Sequence, residues 1–294
     1  MSKAIFVAIA GIPNVGKSTL LNRIIGQKIS IVSPKVQTTR TIINGIYVDG
    51  DTQIIFVDTP GIFTPKKTLE KAIVTTAWSG LDGIDLVLIL VDAVRGFTEE
   101  TRAIINRLEK QKIKPILIIN KTDLVTKEKL NRLSLEYKNL NLFREVITVS
   151  ALEGEGVTEL LSYLKLNAPE HEWYFPEDQL TTAPIRLLAS EITREKLFLN
   201  LSHELPYNLT VETENWEEQK NGSVKITQAI FVSRDTHKQI ILGNKGKMIK
   251  KIGMLAREDI EDFLQTKVHL FLFVKVRENW VNDRNRYNYL GMQF

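Results

Sequence analysis

A lysine, a few small hydroxyl residues and several carboxylate or carboxamide side chains stand at spacings that suit phosphate and base chemistry. Lys17 and Ser18 close the run Gly11-Ile12-Pro13-Asn14-Val15-Gly16-Lys17-Ser18, and Thr19 follows it. A glycine-rich turn of this spacing points successive backbone N–H groups inward to cradle nucleotide phosphates. The lysine then reaches the β- and γ-phosphates and the serine hydroxyl faces Mg2+. Asp58-Thr59-Pro60-Gly61, with Ile62 after it, follows an apolar run. An aspartate at a strand end can hold Mg2+ through water, and a glycine N–H can meet the γ-phosphate. In Thr38-Thr39-Arg40 a threonine hydroxyl can complete the cation's shell and sense the same phosphate. The candidate metal set is therefore Ser18, Thr39 and Asp58, and Lys17, Thr39 and Gly61 are the candidates for direct work on the γ-phosphate.

Asn120-Lys121-Thr122-Asp123 addresses the base. A carboxylate can accept from both N1–H and the 2-amino group of guanine. Adenine offers neither donor, so an unpaired carboxylate would penalise it. The lysine stem can cover the base face. Ser150-Ala151-Leu152 ends another apolar run, where a backbone N–H can donate to guanine O6. Each motif also has a plainer reading: a Pro-Gly turn, a helix cap, a β-branched loop residue. The phosphate loop alone leaves ATP or GTP, and hydrolase or kinase, open.

These residues need strands that end beside one another. Apolar runs of strand length occur at Ile5–Ala10, Ile54–Val57, Leu86–Val91, Ile116–Ile119 and Val146–Val149, and helical patterns separate most of them. Such alternation predicts a mostly parallel, doubly wound α/β sheet covered on both faces, with ligands outside the carboxyl ends of the strands. Ile42–Val48 and Gln53–Val57 flank Asp49-Gly50-Asp51 and predict a hairpin.

At 294 residues the chain suggests two domains. Its content of 43% hydrophobic and 25% charged residues supports a core in each. The absence of cysteine excludes disulfides, thiolate metal sites and cysteine nucleophiles, and fits a reducing cytosol. Ala4–Ala10 imitates a signal peptide, but cleavage there would remove the strand that feeds the phosphate loop. No apolar run is long enough to span a bilayer.

His171–Thr182 lacks a clean period and contains Pro176 and acids, so it reads as a linker. After it, Arg186–Leu201 puts Leu188, Ile192 and Leu199 on one helical face. Leu209–Glu214 and Val224–Val232 read as strands, Lys238–Leu242 as a further extended stretch, and Val268–Val276 as a closing strand. Gly243-Asn244-Lys245-Gly246 opens a helix carrying Met248, Ile252, Leu255, Ile260 and Phe263 at helical spacing. This half is α+β. A Gly-x-x-Gly turn at a helix start lets a phosphodiester backbone approach, as KH domains do. From Arg234 to Arg257 seven cations, including Lys245, Lys247, Lys250 and Lys251, face one acid, Asp235. That balance favours nucleic acid over an ordinary solvated helix face.

The five nucleotide motifs, in this order, resemble those of translation-factor-type GTPases over about residues 3–165. With SEITREKLFLNLSHELPY (190–207) and IILGNKGKMIKKIG (240–253), the whole chain resembles the Era family of KH-domain ribosome-assembly GTPases. The resemblance implies a GTPase domain over 1–170, a linker over 171–183 and a type II KH domain over 184–294. It implies GTP and GDP as ligands, Mg2+ as cofactor, and binding of the 3′ end of 16S rRNA during 30S subunit maturation. It further implies a monomer in the cytoplasm with some peripheral inner-membrane association. Related GTPases use an asparagine at the place of Asn14 to bind K+. Ile62 stands where Ras-like proteins carry a water-orienting glutamine, so intrinsic hydrolysis is expected to be slow. Val36 replaces a usual proline, and Tyr289-Leu290-Gly291-Met292 departs from the family's Leu-Gly-Tyr tail. Two rival readings stay open: a membrane or signalling GTPase whose second domain binds protein, and an ATP-dependent enzyme.

Overall fold

The computed structural model describes residues 1–278 and Trp280, so the tail at 289–292 lies outside the described residues. The chain forms two compact units. The first comprises 1–30 and 39–182, and the second comprises 31–38 and the described residues from 183 on.

In the first unit, strands β1 (Lys3–Ala10), β2 (Ile43–Asp49), β3 (Thr52–Asp58), β4 (Leu86–Asp92), β5 (Ile116–Asn120) and β6 (Val146–Thr148) form one sheet in the order β2-β3-β1-β4-β5-β6. Only β2 runs antiparallel to its neighbour. Helices α1 (Lys17–Ile25), α2 (Thr68–Ser79), α3 (Glu99–Lys110), α4 (Lys127–Asn139) and α5 (Val157–Asn167) alternate with the strands. β3, β4 and β5 are buried at every position, as continuous apolar runs in a two-sided sheet must be. α3 shows why a largely polar stretch folds as helix here. Thr98 caps it through Thr101 N–H, Glu99 and Glu100 sit at its positive end, and Arg107 and Lys110 at its negative end.

The segment expected to be a linker is tied to this unit. Gln53 donates from Nε2 to Phe175 O (2.8 Å) and accepts from Tyr174 N and Phe175 N (2.9 and 3.1 Å). Trp173 Nε1 donates to Asp51 O (3.1 Å), and Ile46 N donates to Leu180 O (2.9 Å). Thr181 pairs with Gly45 as a β-bridge and bonds Asn44 O (2.6 Å). Residues 171–182 therefore form a strap along β2 and β3, held by a fully buried glutamine whose amide needs these partners.

The second unit begins with α6 (Ile185–Asn200). Strands β7 (Leu209–Glu218), β8 (Val224–Val232) and β9 (Val268–Val276) form a sheet in the order β7-β8-β9, antiparallel then parallel. α7 (Asp235–Leu242) and α8 (Lys247–Leu264) lie between β8 and β9 in sequence. Two apolar clusters fill the unit, one around Leu197, Ile230, Ile241 and Ile252, the other around Ile192, Ile226, Ile260 and Val268.

Two sequence expectations are corrected. Lys238–Leu242 is the last part of helix α7, not an extended stretch. It buries only Ile241, as a short one-sided helix does, and Gly243 closes it by donating to Gln239 O (2.9 Å). On α6 Leu188 and Ile192 are buried as expected, but Leu199 is exposed, and Leu197 and Phe198 are fully buried in its stead.

Candidate functional site

The carboxyl ends of β1, β3, β4, β5 and β6 bring the nucleotide motifs together. Residues 11–16 form the turn after β1, and Lys17, Ser18 and Thr19 start α1. Gly16 is left-handed at φ 96°. A Cβ there would stand 2.2 Å from Asn120 Nδ2, so the phosphate loop and the base motif touch only because this residue is glycine. Lys17 lies across the loop, its Nζ donating to Gly11 O (3.1 Å) and Ile12 O (3.0 Å). Burial lowers its pKa to about 8, and the Asp58 carboxylate partly opposes that shift.

Ser18 Oγ donates to Asp58 Oδ2 (2.7 Å) and lies 2.9 Å from Thr39 Oγ1, so the three expected metal residues meet. Ser30 Oγ also donates to Asp58 Oδ2 (2.9 Å). Burial pushes the Asp58 carboxyl up, while Ser18, Lys17 and Ser30 pull it back. Its Oδ1 is buried without a hydrogen-bond partner among the described residues. A buried carboxylate oxygen without a donor, beside two hydroxyls, is a donor set that fits a hard divalent cation such as Mg2+. Thr59 is anchored by its N–H and hydroxyl to Ile9 O, which sets the turn through Pro60. Gly61 approaches Pro13 so closely that a Cβ would stand 2.8 Å from the proline ring. Ile62 is buried, its N–H bonded to Gly11 O (3.1 Å), and offers no side-chain group to a water.

Around the base motifs, Asn120 joins two loops. It donates to Val15 O (2.7 Å) and accepts from Ala151 N (2.9 Å). Ser150 Oγ donates to Asp123 Oδ1 (2.6 Å), orienting the carboxylate expected to face guanine. Lys121 Nζ donates to Asn14 O (2.8 Å) and pairs with Asp92 Oδ2 at 2.7 Å. Thr122 begins a single 3-10 turn, and Leu152, after Ala151, is exposed.

Asp92, Arg23 and Asn22 belong to the site and were not expected. Asp92 accepts from Val94 N–H and Arg95 N–H as well as from Lys121. Burial pushes its carboxyl up, but these donors hold it below the usual range. Its place at the end of an apolar strand was the available signal. Arg23 on α1 donates to the carbonyls of Ala151 and Leu152, and Asn22 braces Ile29 and Ser30, both through contacts that no local pattern announces.

In the second unit the turn between α7 and α8 has the expected form. Gly243, Lys245 and Gly246 all take positive φ (69°, 51° and 76°). A Cβ on Gly243 would stand 2.7 Å from Met248 Cβ. Asn244, Lys245, Lys247, Lys250 and Lys251 are exposed around it, whereas Arg257 is engaged by Glu261 at 3.1 Å. The arrangement presents backbone and ammonium groups to an anionic chain.

Fold and site together define a P-loop GTPase joined to a KH domain. A family model described as 50S ribosome-binding GTPase matches residues 6–121, and one described as KH domain matches 204–281. The GTPase Era of Brucella suis biovar 1 (strain 1330) is 50% identical over 98% of this chain and 93% of its own length. That of Afipia carboxidovorans is 53% identical over 98% and 94%. The crystal structure of a point variant of Aquifex aeolicus Era bound to GDP and AlF4− matches with a TM-score of 0.93 at 38% identity, over 98% of this chain and 99% of that one. Era in complex with MgGDPNP and nucleotides 1506–1542 of 16S ribosomal RNA matches with a TM-score of 0.92 at 37% identity, over 99% of both chains. This chain belongs to the Era family, and it is a GTPase.

Proposed function

We propose that this protein is a GTP-driven switch that binds the 3′ end of 16S rRNA through the Gly243–Gly246 turn and assists maturation of the 30S subunit. The observation that carries the proposal is the close match, over the whole chain, to a relative held with both MgGDPNP and that stretch of 16S rRNA. The exposed lysines around a Gly-x-x-Gly turn in this chain supply the matching chemistry.

In this reading Asn120, Asp123 and the Ser150–Leu152 loop hold guanine, and the loop amides and Lys17 hold the phosphates. Ser18, Asp58 and Thr39 hold Mg2+, which when bound neutralises charge on the β- and γ-phosphates. Thr39 and the Gly61 N–H meet the γ-phosphate and register its loss. Ile62 leaves the attacking water without a side-chain acceptor, so the intrinsic rate is slow. Asn14, at the edge of the phosphate loop, holds K+ in this proposal; equal hydrolysis rates in K+ and Na+ buffers would remove it from the mechanism. The proposal extends to a cytoplasmic monomer with peripheral inner-membrane association, which cell fractionation and sedimentation test.

The decisive experiment measures binding of the purified protein to an RNA with the 3′-terminal 16S sequence, with GDPNP, GDP or no nucleotide. Tighter binding with GDPNP is expected. Equal affinity in all three states would sink the switch, and no binding in any state would sink the rRNA reading.

A further inference from the structure

Asp92 is a buried carboxylate that belongs to neither the phosphate motifs nor the base motif. It ends β4, and in the sheet it stands opposite Asn120, the last residue of β5. Lys121 comes next in the chain. Its Nζ donates to Asp92 Oδ2 (2.7 Å) and to Asn14 O (2.8 Å). One ammonium therefore joins the end of β4, the base motif and the phosphate loop, all within the first unit.

The carboxylate is aimed. Its Oδ1 accepts from Val94 N–H (2.8 Å) and Arg95 N–H (3.4 Å), which leaves Oδ2 for Lys121. Only 7% of the Asp92 side chain is exposed, against 31% for Lys121. A carboxylate removed from water is retained where charge-assisted and backbone donors replace that water, as they do here.

Two left-handed residues meet at the same ammonium. Lys121 and Asn14 each take φ 65°. A residue with a Cβ adopts that conformation at a cost, and it persists where the surroundings hold it. The lysine stem is the part expected to lie over the base. A four-carbon chain free at its end would have to be ordered each time a nucleotide binds. Held at Nζ by Asp92 and Asn14 O, this one is ordered beforehand.

We propose that Asp92 is a positioning residue for nucleotide recognition: it holds Lys121 extended between the base site and the phosphate loop, so that one wall of the guanine pocket stands before any nucleotide arrives. The proposal rests on the reading of residues 120–123 as the base motif.

The test uses full-length protein with Mg2+ and measures affinity for GDP and for inorganic pyrophosphate, with melting of the nucleotide-free protein as the control for folding. Asp92→Asn keeps an oxygen for Val94 N–H but turns an amide toward the lysine. It is expected to weaken GDP about three- to tenfold and to leave pyrophosphate unchanged, because the loss falls on the base wall. Asp92→Glu restores the charge and is expected to recover part of the GDP affinity. In a Lys121→Met background, Asp92→Asn is expected to cost less than about twofold, since the contact is already gone. Unchanged GDP affinity in folded Asp92→Asn, equal losses for GDP and pyrophosphate, or the full loss in the Met background each overturn the proposal. If Asp92→Asn does not fold, Lys121→Met decides: it must weaken GDP with pyrophosphate unchanged, and full GDP affinity overturns the role of the pair. Asp123→Asn is run alongside. If it keeps the guanine preference, the base reading itself fails. If it loses that preference while Asp92→Asn binds GDP as the wild type does, only the role of Asp92 fails.

Discussion

Burial strips water from the Lys17 ammonium and brings its pKa down to about 8, well below the value of 10.5 usual for lysine, with Asp58 pulling the other way. The sign of the consequence follows from linkage. Above about pH 8 the nucleotide-free protein loses this proton, whereas phosphate oxygens against Nζ demand the charged form. Nucleotide affinity is therefore expected to be flat below pH 8 and to fall as pH rises above it. Calorimetry at pH 9 in buffers of different ionisation heat should show proton uptake on binding; no uptake would mean that Lys17 stays charged throughout. At the base, Asp123→Asn exchanges an acceptor for a donor while Ser150 remains nearby. GTP affinity is expected to drop at least about a hundredfold, with xanthine nucleotides gaining, because a site built for two donors then faces a mismatch. Unchanged nucleotide preference would remove Asp123 from recognition of the base. Asp92 shows where residue-level reading stops. Its pairing with Lys121 spans 29 positions and needs β4 and β5 as neighbours, a fact of sheet order that spacing does not contain.

Among elements, the α7–α8 turn is the most sensitive. Gly243→Ala must accept both a left-handed φ and a collision with Met248, so it is expected to distort the turn. Binding of the 3′-terminal RNA should weaken with GDP binding intact; equal RNA affinity would exclude the turn from the interface. Deeper in the unit, Ile260 is fully buried between α8 and the sheet. Ile260→Ala is expected to cost about 2–5 kcal/mol and lower the melting temperature, as removal of buried methyl groups leaves a cavity. Most elements could be read from the chain because their periodicity is unambiguous. β8 and β9 fall at the expected residues, and Ile252 and Ile260 of α8 are core. Lys238–Leu242 misled because four apolar or amide residues in a row suit a strand as well as a short helix, and only the cap at Gly243 decides. The strap misled for a different reason. Its bonds run from backbone and amide groups to residues more than a hundred positions away, and apolar patterning is blind to those.

For the molecule as a whole, charge matters through its placement. The net charge of +4 is small, yet Lys245, Lys247, Lys250 and Lys251 gather exposed at one turn. If these four meet phosphates of a single strand, the logarithm of RNA affinity should fall against that of salt concentration with a slope of about −3. A slope near zero would mean that the lysines do not carry the binding. The same economy governs the sheet's open side. β2 is an edge strand of the larger sheet, and unpaired edge groups invite another chain to add on. The strap blocks that edge, with Leu180 O taking the Ile46 N–H and Thr181 taking Asn44 O. A fragment ending at residue 170 would keep every nucleotide motif and yet expose a sticky strand. During synthesis the chain passes through that same state until residue 181 has emerged, and over that interval the unpaired groups of β2 stand open to another strand.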